Sequence, residues 1–346
     1  MRLESERRTL RLAQPLESSY GSVTERELII VELNDEDGPP GYGEAAPLEP
    51  YDGIPIERAQ AALDAYAPVL AGAQALNGAQ IMEACRRVDP LPVALAAIDM
   101  ALWDRAGRRA GKSVAKLLSD NPTATVPVNA TLSALDRAGC AEQAAHAVAQ
   151  GYGCVKLKVG IADDAGRLAA VRAAAGPRVA LRLDANGAWD VEQAVRTIDV
   201  LSDAGLEFVE EPTHGMQAMR EVRERVAVRV SIDETAGESG ALAAGVADAV
   251  CLKVSRCGGI AALIAAATLV RLAGAEVYLA STLDGPLGVA AALQAAAALA
   301  SRGPIPHCGL ATLELFEEIS NPLPAHEGVI ALPSAPGLGV EAAVGE

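Results

Sequence analysis

The chain has 346 residues, of which 51% are hydrophobic and 21% are charged, and its formal net charge at pH 7 is −16. This composition is typical of a folded globular protein and excludes a disordered chain. The acidic balance, with a sequence pI near 4.8, also argues against nucleic-acid binding, which needs a basic face.

The apolar pattern predicts neither a membrane protein nor a secreted one. The longest apolar runs, such as 261–270, are far shorter than a membrane span, and no apolar segment follows the charged start, MRLESERRTL. The six cysteines are scattered without a CxxC pair, which favours isolated thiols in a reducing compartment. We therefore expect a cytoplasmic protein whose partners include neither nucleic acid nor a membrane.

The first 120 residues read as strands followed by helices. A β-rich run, LIIVEL, lies at 28–33, and a connection rich in Gly and Pro follows at 38–48. From 55 to 118, apolar residues recur every three or four positions, which predicts helices. Strands followed by helices favour a compact α+β unit, so we predict a capping domain over residues 1–120.

After Pro122, short β-rich runs alternate with Ala-rich helical stretches. The eight runs are 125–133, 154–160, 179–186, 206–212, 229–234, 248–254, 275–281 and 304–310. Eight strand–helix units predict an α/β fold, a (β/α)8-type barrel over residues 121–317. The alternative, an open doubly wound sheet, would need a Gly-rich phosphate turn that the first unit lacks. We expect the tail, 318–346, to return to the capping domain.

Ionisable residues close five successive barrel strands. In chain order they are Lys158, Asp184, Glu210, Asp233 and Lys253, separated by 20 to 26 residues, about one strand–helix unit each. The carboxyl ends of barrel strands form the mouth where active sites lie. Three carboxylates converging there would repel one another, and a divalent cation relieves this repulsion. All-oxygen ligation, without a His or Cys ligand, favours Mg²⁺, with Mn²⁺ as the alternative.

Lysines flank these acids on both sides. Lys156 and Lys158 alternate with Val155, Leu157 and Val159, so both lysines point to one face of their strand. Burial and neighbouring cations lower a lysine pKa, which would make Lys158 a base. With Lys253 across the barrel, the arrangement suits removal of a proton α to a carboxylate, with the metal stabilising the enediolate.

The motifs KLK, LDANGAW, FVEEP, IDE and LKVSRCGG, in this order, resemble the enolase superfamily and its muconate-lactonizing-enzyme subgroup. In that superfamily, a lysine or histidine base acts together with Mg²⁺ on an enediolate. The resemblance extends to GYGEAAPL in the cap and PGLGVE in the tail. It implies a barrel with a capping domain and a metal-dependent reaction on a small-molecule carboxylate.

The resemblance also implies a role for each matching residue. Asp184, Glu210 and Asp233 match the metal ligands, and Asn186 and Glu234 match residues that support them. Lys158 matches the catalytic lysine, Lys156 the companion that tunes it, and Lys253 the second lysine across the substrate. Glu211 matches a variable position.

Within the subgroup, the runs 281–299 and CGLAT most resemble the o-succinylbenzoate synthases. These are lyases of menaquinone biosynthesis that dehydrate 2-succinyl-6-hydroxy-2,4-cyclohexadiene-1-carboxylate to o-succinylbenzoate. A racemase or epimerase of N-acylamino acids or dipeptides, or a muconate-type cycloisomerase, is the alternative. PHCGLATLE lacks the Asp-x-Asp pair typical of dipeptide epimerases. A non-catalytic binding protein would not need two lysines flanking a metal.

Two loops of the capping domain, 15–23 and 46–53, are expected to cover the barrel mouth. The residues we assign to substrate contact are Ser19, Tyr20, Tyr51, Ser281 and Asp284. Asp284 follows the seventh strand and could hold a substrate ammonium. Relatives in the subgroup are often homo-oligomers, which is an analogy and not a property of the residues.

Overall fold

The computed structural model describes residues 1–18, 21–35, 38–161, 163–317 and 319–341. The chain begins with an antiparallel sheet in the order β1-β2-β3. Its strands are β1 (Arg2–Ser18), β2 (Gly21–Asn34) and β3 (Gly41–Ala45). Helices α1 (Glu49–Asp52), α2 (Ile56–Ala71), α3 (Gly78–Val88), α4 (Pro92–Ala110) and α5 (Val114–Leu118) follow.

Strand β2 is apolar along its centre because both of its faces are buried. Ile29 and Val31 pack into a core made with α2, α3 and α4, whereas Leu28 and Ile30 belong to the larger core of the barrel. A strand buried on both faces has no polar alternation, which explains the continuous run LIIVEL. The capping domain and the barrel therefore share one strand between their cores.

The barrel strands lie side by side in one parallel sheet, in chain order from β5 to β11. The elements of this region are β4 (Thr125–Pro127), β5 (Ala130–Leu132), α6 (Arg137–Ala149), β6 (Cys154–Lys158), α7 (Asp164–Ala175), β7 (Ala180–Asp184), α8 (Val191–Leu201), β8 (Leu206–Glu210), α9 (Met216–Arg225), β9 (Val230–Ile232), β10 (Ala249–Leu252), α10 (Val254–Cys257), α11 (Ile260–Leu272), β11 (Glu276–Leu279) and α12 (Pro286–Ala300). The predicted (β/α)8-type barrel with a capping domain is confirmed.

The eighth predicted run, 304–310, is not a regular strand. Within the described residues, its pairing consists of two bridges, from Cys308 to Val128 and from Gly309 to Ala280, and these bridges close the barrel. Pro304 and Pro306 have no N–H to donate, so a full ladder cannot form there. The first run, 125–133, also differs from the prediction, since it divides into β4 and β5.

The tail packs on both parts of the molecule rather than on the capping domain alone. Strands β12 (Ala325–His326) and β13 (Val329–Ala331) form a hairpin, and β13 pairs with β4. Farther along, the N–H of Leu338 donates to Asp104 of α4 at 2.7 Å. Residues 318 and 342–346 of the predicted returning tail lie outside the described residues.

Helix α12 shows how tightly these layers pack. Its residues from Pro286 to Leu299 are all buried, so it is apolar on every side. Gln294 is its polar exception: its side chain accepts from the N–H of Ala115 at 2.8 Å and donates to the carbonyl of Leu338 at 2.9 Å.

Among the described residues, no helix is both long and apolar enough to cross a membrane.

A buried ionic cluster joins the capping domain to the loop after β11. The Arg26 guanidinium donates to carbonyls on both sides, to Pro47 at 2.7 Å and to Leu283 at 3.3 Å. Glu44 accepts from the N–H of Gly285 at 2.6 Å, and Asp284 lies beside it. Burial, followed by the Asp284 charge, raises the pKa of Glu44 to about 8.

We expect Glu44→Gln to change the pH dependence of stability. The stability that protonated Glu44 contributes to the wild type is complete below the pKa of Glu in the unfolded chain, about 4.3. It is lost as the pH rises through the folded-state pKa of about 8. Glutamine has no proton to lose, so the variant should gain stability relative to the wild type between about pH 5 and pH 9. Thermal unfolding across this range measures the difference, with the exposed Glu25→Gln as control. A constant difference would contradict the prediction.

Candidate active site

The strand register brings the predicted site residues to one rim. Lys158 is paired with Asp184 across β6 and β7, and Asp184 with Glu210 across β7 and β8. Each of the three is the last residue of its strand, while Asp233 and Lys253 directly follow β9 and β10. Since all these strands are parallel, the five side chains lie at the carboxyl end of the barrel.

On one side of this rim, two lysines share a carboxylate. Lys158 Nζ donates to Asp184 Oδ2 and to Asn186 Oδ1, both at 2.7 Å. Lys156 Nζ donates to the same Asp184 oxygen at 2.8 Å and to Glu210 Oε1 at 3.1 Å. The deeper lysine therefore bridges two acids, and Lys158 joins Asp184 to Asn186.

On the other side, Lys253 forms a buried pair with Asp233. Lys253 Nζ lies 2.7 Å from Asp233 Oδ1 and 2.5 Å from Oδ2. Tyr51, which comes from the capping domain, accepts from Lys253 at 2.6 Å through its hydroxyl and donates to Asp233 Oδ1 at 3.0 Å. The phenol of Tyr51 therefore covers the Lys253–Asp233 pair on the side of the capping domain.

Opposite charges set the proton affinities of the first group. Burial alone would raise the pKa of Asp184, but the charges of Lys156 and Lys158 outweigh burial and hold it well below its usual range. Burial and the nearby Asp184 charge raise the pKa of Glu210. Asp184 and Glu210 are therefore shifted in opposite directions by their surroundings.

Two lysines of the site are held in their charged form. Burial would lower the pKa of Lys156, but the charges of Asp184 and Glu210 raise it above its ordinary value. Asp233 has the same effect on the pKa of Lys253. At both positions, the effect of the paired carboxylates on the lysine pKa therefore outweighs that of burial. The prediction of a lowered lysine pKa considered burial and neighbouring cations but not these carboxylates.

The three carboxylates fit a divalent cation by their chemistry. Their relative exposures are 1% for Asp184, 0% for Glu210 and 7% for Asp233. One correction concerns cysteine, because Cys251 Sγ lies within 4.8 Å of ligand atoms of Glu210 and Asp233. Cys251 is two residues before Lys253 and so faces the same interior. Mg²⁺ and Mn²⁺ prefer carboxylate oxygen to sulfur, so the three acids remain the donors expected for such a cation.

Supporting residues hold the acids in place. Asn186 Nδ2 donates to Glu234 Oε1 at 3.0 Å, so Asn186 connects Lys158 to Glu234. Glu211 accepts from the N–H groups of Asp233 at 2.8 Å and Thr235 at 2.9 Å, which fixes the loop that carries Asp233. The motif comparison left Glu211 without a role, yet its position directly after a buried strand residue was a usable signal.

A second residue missed at the sequence level is Tyr278 of β11. Its hydroxyl donates to Glu210 Oε2 at 2.8 Å and lies 3.0 Å from Ser231 Oγ. Burial raises the pKa of this phenol, which keeps it a donor. The sequence signal was weak, since a tyrosine in an apolar strand is typical of an ordinary core.

One cavity reaches the lysines and acids from the mouth of the barrel. It is lined by Leu16, Val23, Leu48, Pro50, Tyr51, Thr131, Lys156, Lys158, Asp184, Asn186, Asp233, Lys253, Ala280, Ser281, Thr282, Leu283, Gly309, Thr312 and Leu315. Of the predicted substrate contacts, Tyr51 and Ser281 lie here. Ser19 and Tyr20 lie outside the described residues, although Leu16 and Val23 of the same hairpin line the cavity.

Asp284 requires a correction. It is not among the described residues that line the cavity, and it is buried beside Glu44 and Arg26. The reason is that Asp284 directly precedes Gly285, the residue that caps α12, so its side chain turns toward β3. Its carboxylate is part of the ionic cluster between the two domains instead.

Two sequence families match this chain. Residues 139–344 match the enolase C-terminal domain-like family, and residues 3–119 match the mandelate racemase/muconate lactonizing enzyme N-terminal domain. The chain belongs to the mandelate racemase/muconate lactonizing enzyme family. It is therefore an enzyme of the enolase superfamily, and the resemblance predicted from its motifs is confirmed.

Individual members of this family differ in the reaction their names describe. The chain is 40% identical to o-succinylbenzoate synthase of Thermobifida fusca (strain YX) over 60% of its own length and 66%, just under two thirds, of that protein. It is 31% identical to muconate cycloisomerase 1 of Rhodococcus opacus over 95% of its length and 92% of that protein. A dipeptide epimerase from Enterococcus faecalis V583, solved with Mg and L-Leu-L-Tyr, superposes with a TM-score of 0.89 at 27% identity and covers 98% of each chain.

We expect Lys156→Met to destabilise this family member strongly. The change leaves Asp184 and Glu210 buried side by side without the ammonium that bridges them. Removing one partner of a buried ion pair costs about 3–5 kcal/mol of unfolding free energy. Urea unfolding at neutral pH in EDTA measures the loss, with the exposed Lys116→Met as control. Equal unfolding midpoints for the Lys156 variant and the wild type would contradict this bridging role.

Proposed function

We propose that the protein is a Mg²⁺-dependent lyase that dehydrates 2-succinyl-6-hydroxy-2,4-cyclohexadiene-1-carboxylate to o-succinylbenzoate, a step of menaquinone biosynthesis. The observation that carries the proposal is the charge distribution in the cavity. Among the described lining residues, the only acids are Asp184 and Asp233, and both belong to the proposed metal site. The lining also has three lysines and an apolar wall, which suits an anionic ring.

Asp184, Glu210 and Asp233 would hold the cation, with Asn186 and Glu234 in support. When bound, Mg²⁺ supplies positive charge to a substrate carboxylate and so makes the neighbouring C–H more acidic. An all-oxygen donor set of carboxylates favours Mg²⁺, with Mn²⁺ as the alternative. The superposed dipeptide epimerase was solved with Mg, which supports the same choice here.

The lysines of this chain would move the proton. Lys158, in its neutral form, takes the proton α to the carboxylate at Nζ and then passes it to the leaving hydroxyl, so that one water is lost overall. Lys156 is placed to adjust the charge around Lys158 through the Asp184 oxygen that both contact. Lys253 places a second positive charge across the cavity.

The absence of a further acid bears on the choice among substrates. The segment closing the barrel contributes Gly309, Thr312 and Leu315 to the lining, while Glu314 is exposed. In the described part of this segment, no carboxylate is placed to hold a substrate ammonium. This disfavours a free dipeptide, whereas a dicarboxylate meets complementary charge. The 40% identity to a synthase adds independent support.

An isomerase of the same family is the second candidate. It is favoured by Lys158 and Lys253 lining one cavity, because two bases on opposite sides could take and return a proton. The match to a muconate cycloisomerase over 95% of the chain also supports it. A racemase or epimerase would share the proton abstraction and differ in the step after it. A cycloisomerase would form the same kind of enediolate by ring closure of the substrate, and a lysine would then donate a proton to it.

One assay separates the two candidates. With Mg²⁺ present, we expect the protein to consume the cyclohexadiene substrate, followed by loss of its absorbance. Lys158→Met should reduce kcat by about 100-fold or more, as removal of a general base does. In parallel, α-proton exchange into D₂O is followed with N-succinylamino acids and dipeptides, and lactonisation of cis,cis-muconate is followed by loss of its absorbance. Fast exchange or turnover of these compounds without consumption of the first would refute the lyase proposal.

The metal site has its own prediction. Mg²⁺ should raise the melting temperature of the wild type, because a ligand that binds only the folded state stabilises it. Asp233→Asn removes a charged ligand, so the same rise should require at least about tenfold more Mg²⁺. The exposed Asp199→Asn serves as control and should respond like the wild type. An unchanged Mg²⁺ dependence in the Asp233 variant would remove Asp233 from the ligand set.

A further inference from the structure

Tyr51 sits on a turn of the capping domain that its own hydrogen bonds hold rigid. The two carboxylate oxygens of Asp52 accept from the N–H groups of Leu48 at 3.0 Å and Ile54 at 2.9 Å. Gly53 adopts a φ of 70°, and its N–H donates to Glu49 at 2.9 Å. These bonds all lie within the turn, so they fix Tyr51 relative to the turn and do not fix the turn relative to the barrel.

The Tyr51 side chain reaches the Lys253 ammonium in two ways. Its hydroxyl accepts from Lys253 Nζ at 2.6 Å, and the same Nζ lies 4.3 Å from the centre of the ring. The guanidinium of Arg256 lies 5.0 Å from that ring centre. A phenol buried between two cations contributes both its ring face and its oxygen lone pairs to their stabilisation.

The hydroxyl differs from the other partner of Lys253 in one important respect. Asp233, which lies 2.7 Å from Nζ, is also a proposed ligand of Mg²⁺, so its charge is shared. The hydroxyl of Tyr51 is uncharged and is not a proposed ligand, so the bond that it accepts from Lys253 at 2.6 Å does not compete with the metal for a carboxylate.

We propose that Tyr51 is a positioning residue that holds Lys253 at the cavity and, through the same hydrogen bond, fastens the turn 48–54 of the capping domain over the barrel mouth. The placement of the second lysine and the attachment of the turn to the barrel then depend on the same hydrogen bond. The kinetic consequence rests on the proposed role of Lys253, whereas the fastening of the turn does not depend on any substrate.

Hydrogen–deuterium exchange of the metal-free protein tests the fastening. Tyr51→Phe keeps the ring and loses only the hydroxyl, so the amides of residues 51–54, which are hydrogen-bonded within the turn, should exchange several-fold faster. Lys253→Met removes only the bond from Nζ, whereas Tyr51→Phe also removes the bond to Asp233 Oδ1, so Lys253→Met should speed exchange by no more than Tyr51→Phe does. The double variant should exchange no faster than Tyr51→Phe, since the hydroxyl is already lost in that single variant. Tyr42→Phe, on β3, is the matched control and should leave the turn unchanged.

Steady-state kinetics test the positioning role on whichever carboxylate the wild type turns over. A hydrogen bond to a charged group is worth about 1.5–3 kcal/mol, so Tyr51→Phe should lower kcat by about tenfold to 100-fold. The change in KM should be smaller than the change in kcat. A raised KM with unchanged kcat and unchanged exchange would make Tyr51 an ordinary substrate contact and overturn the proposal.

The exchange experiment and the kinetic experiment test separate claims, so one can fail without the other. If the wild type turns over none of the substrates, the proposed function fails, and exchange in the turn still decides the role of Tyr51. If Tyr51→Phe exchanges at the wild-type rate, the fastening is wrong whatever the substrate. Circular dichroism of each variant establishes that it is folded before exchange is compared.

Discussion

At the carboxyl end of the barrel, three buried carboxylates each lie within hydrogen-bonding distance of at least one of three ammonium groups. None could be buried alone, since an unpaired buried charge costs several kcal/mol. Each acid therefore needs either an ammonium or a metal ion, and each lysine needs an acid. This mutual dependence explains why further residues hold the charged groups in place. Glu211 accepts from the N–H of Asp233, and the Tyr278 hydroxyl donates to Glu210.

The supporting groups are of two kinds. The amide of Asn186 and the phenols of Tyr51 and Tyr278 orient the charged groups without adding charge, whereas Glu211 and Glu234 add carboxylates beside the site. A second group of ionisable residues, Arg26, Glu44 and Asp284, lies behind the loop after β11 and joins the two domains there.

The sequence was informative wherever a strict periodicity applied. Alternation along β6 put Lys156 and Lys158 on the interior face, and the regular spacing of strand–helix units brought Asp184 and Glu210 into register. The sequence was less informative where the conformation of a turn or a partner distant in sequence determines the structure. The turn into α12 directs Asp284 away from the cavity, and two prolines reduce the eighth strand to two bridges. The pairing of β13 with β4 joins segments some 200 residues apart, which no local pattern predicts.

The two buried faces of β2 have a consequence for how this enzyme could diversify. Because Ile29 and Leu28 belong to different cores, exchanging the whole capping domain for that of a relative would disturb both cores at once. The parts of the β1–β2 hairpin and of the turn 48–54 that line the cavity, including Leu16, Val23 and Leu48, are not shared between the two cores. New specificities are therefore accessible by grafting these two short segments, while recombination at the boundary between the domains is structurally disfavoured.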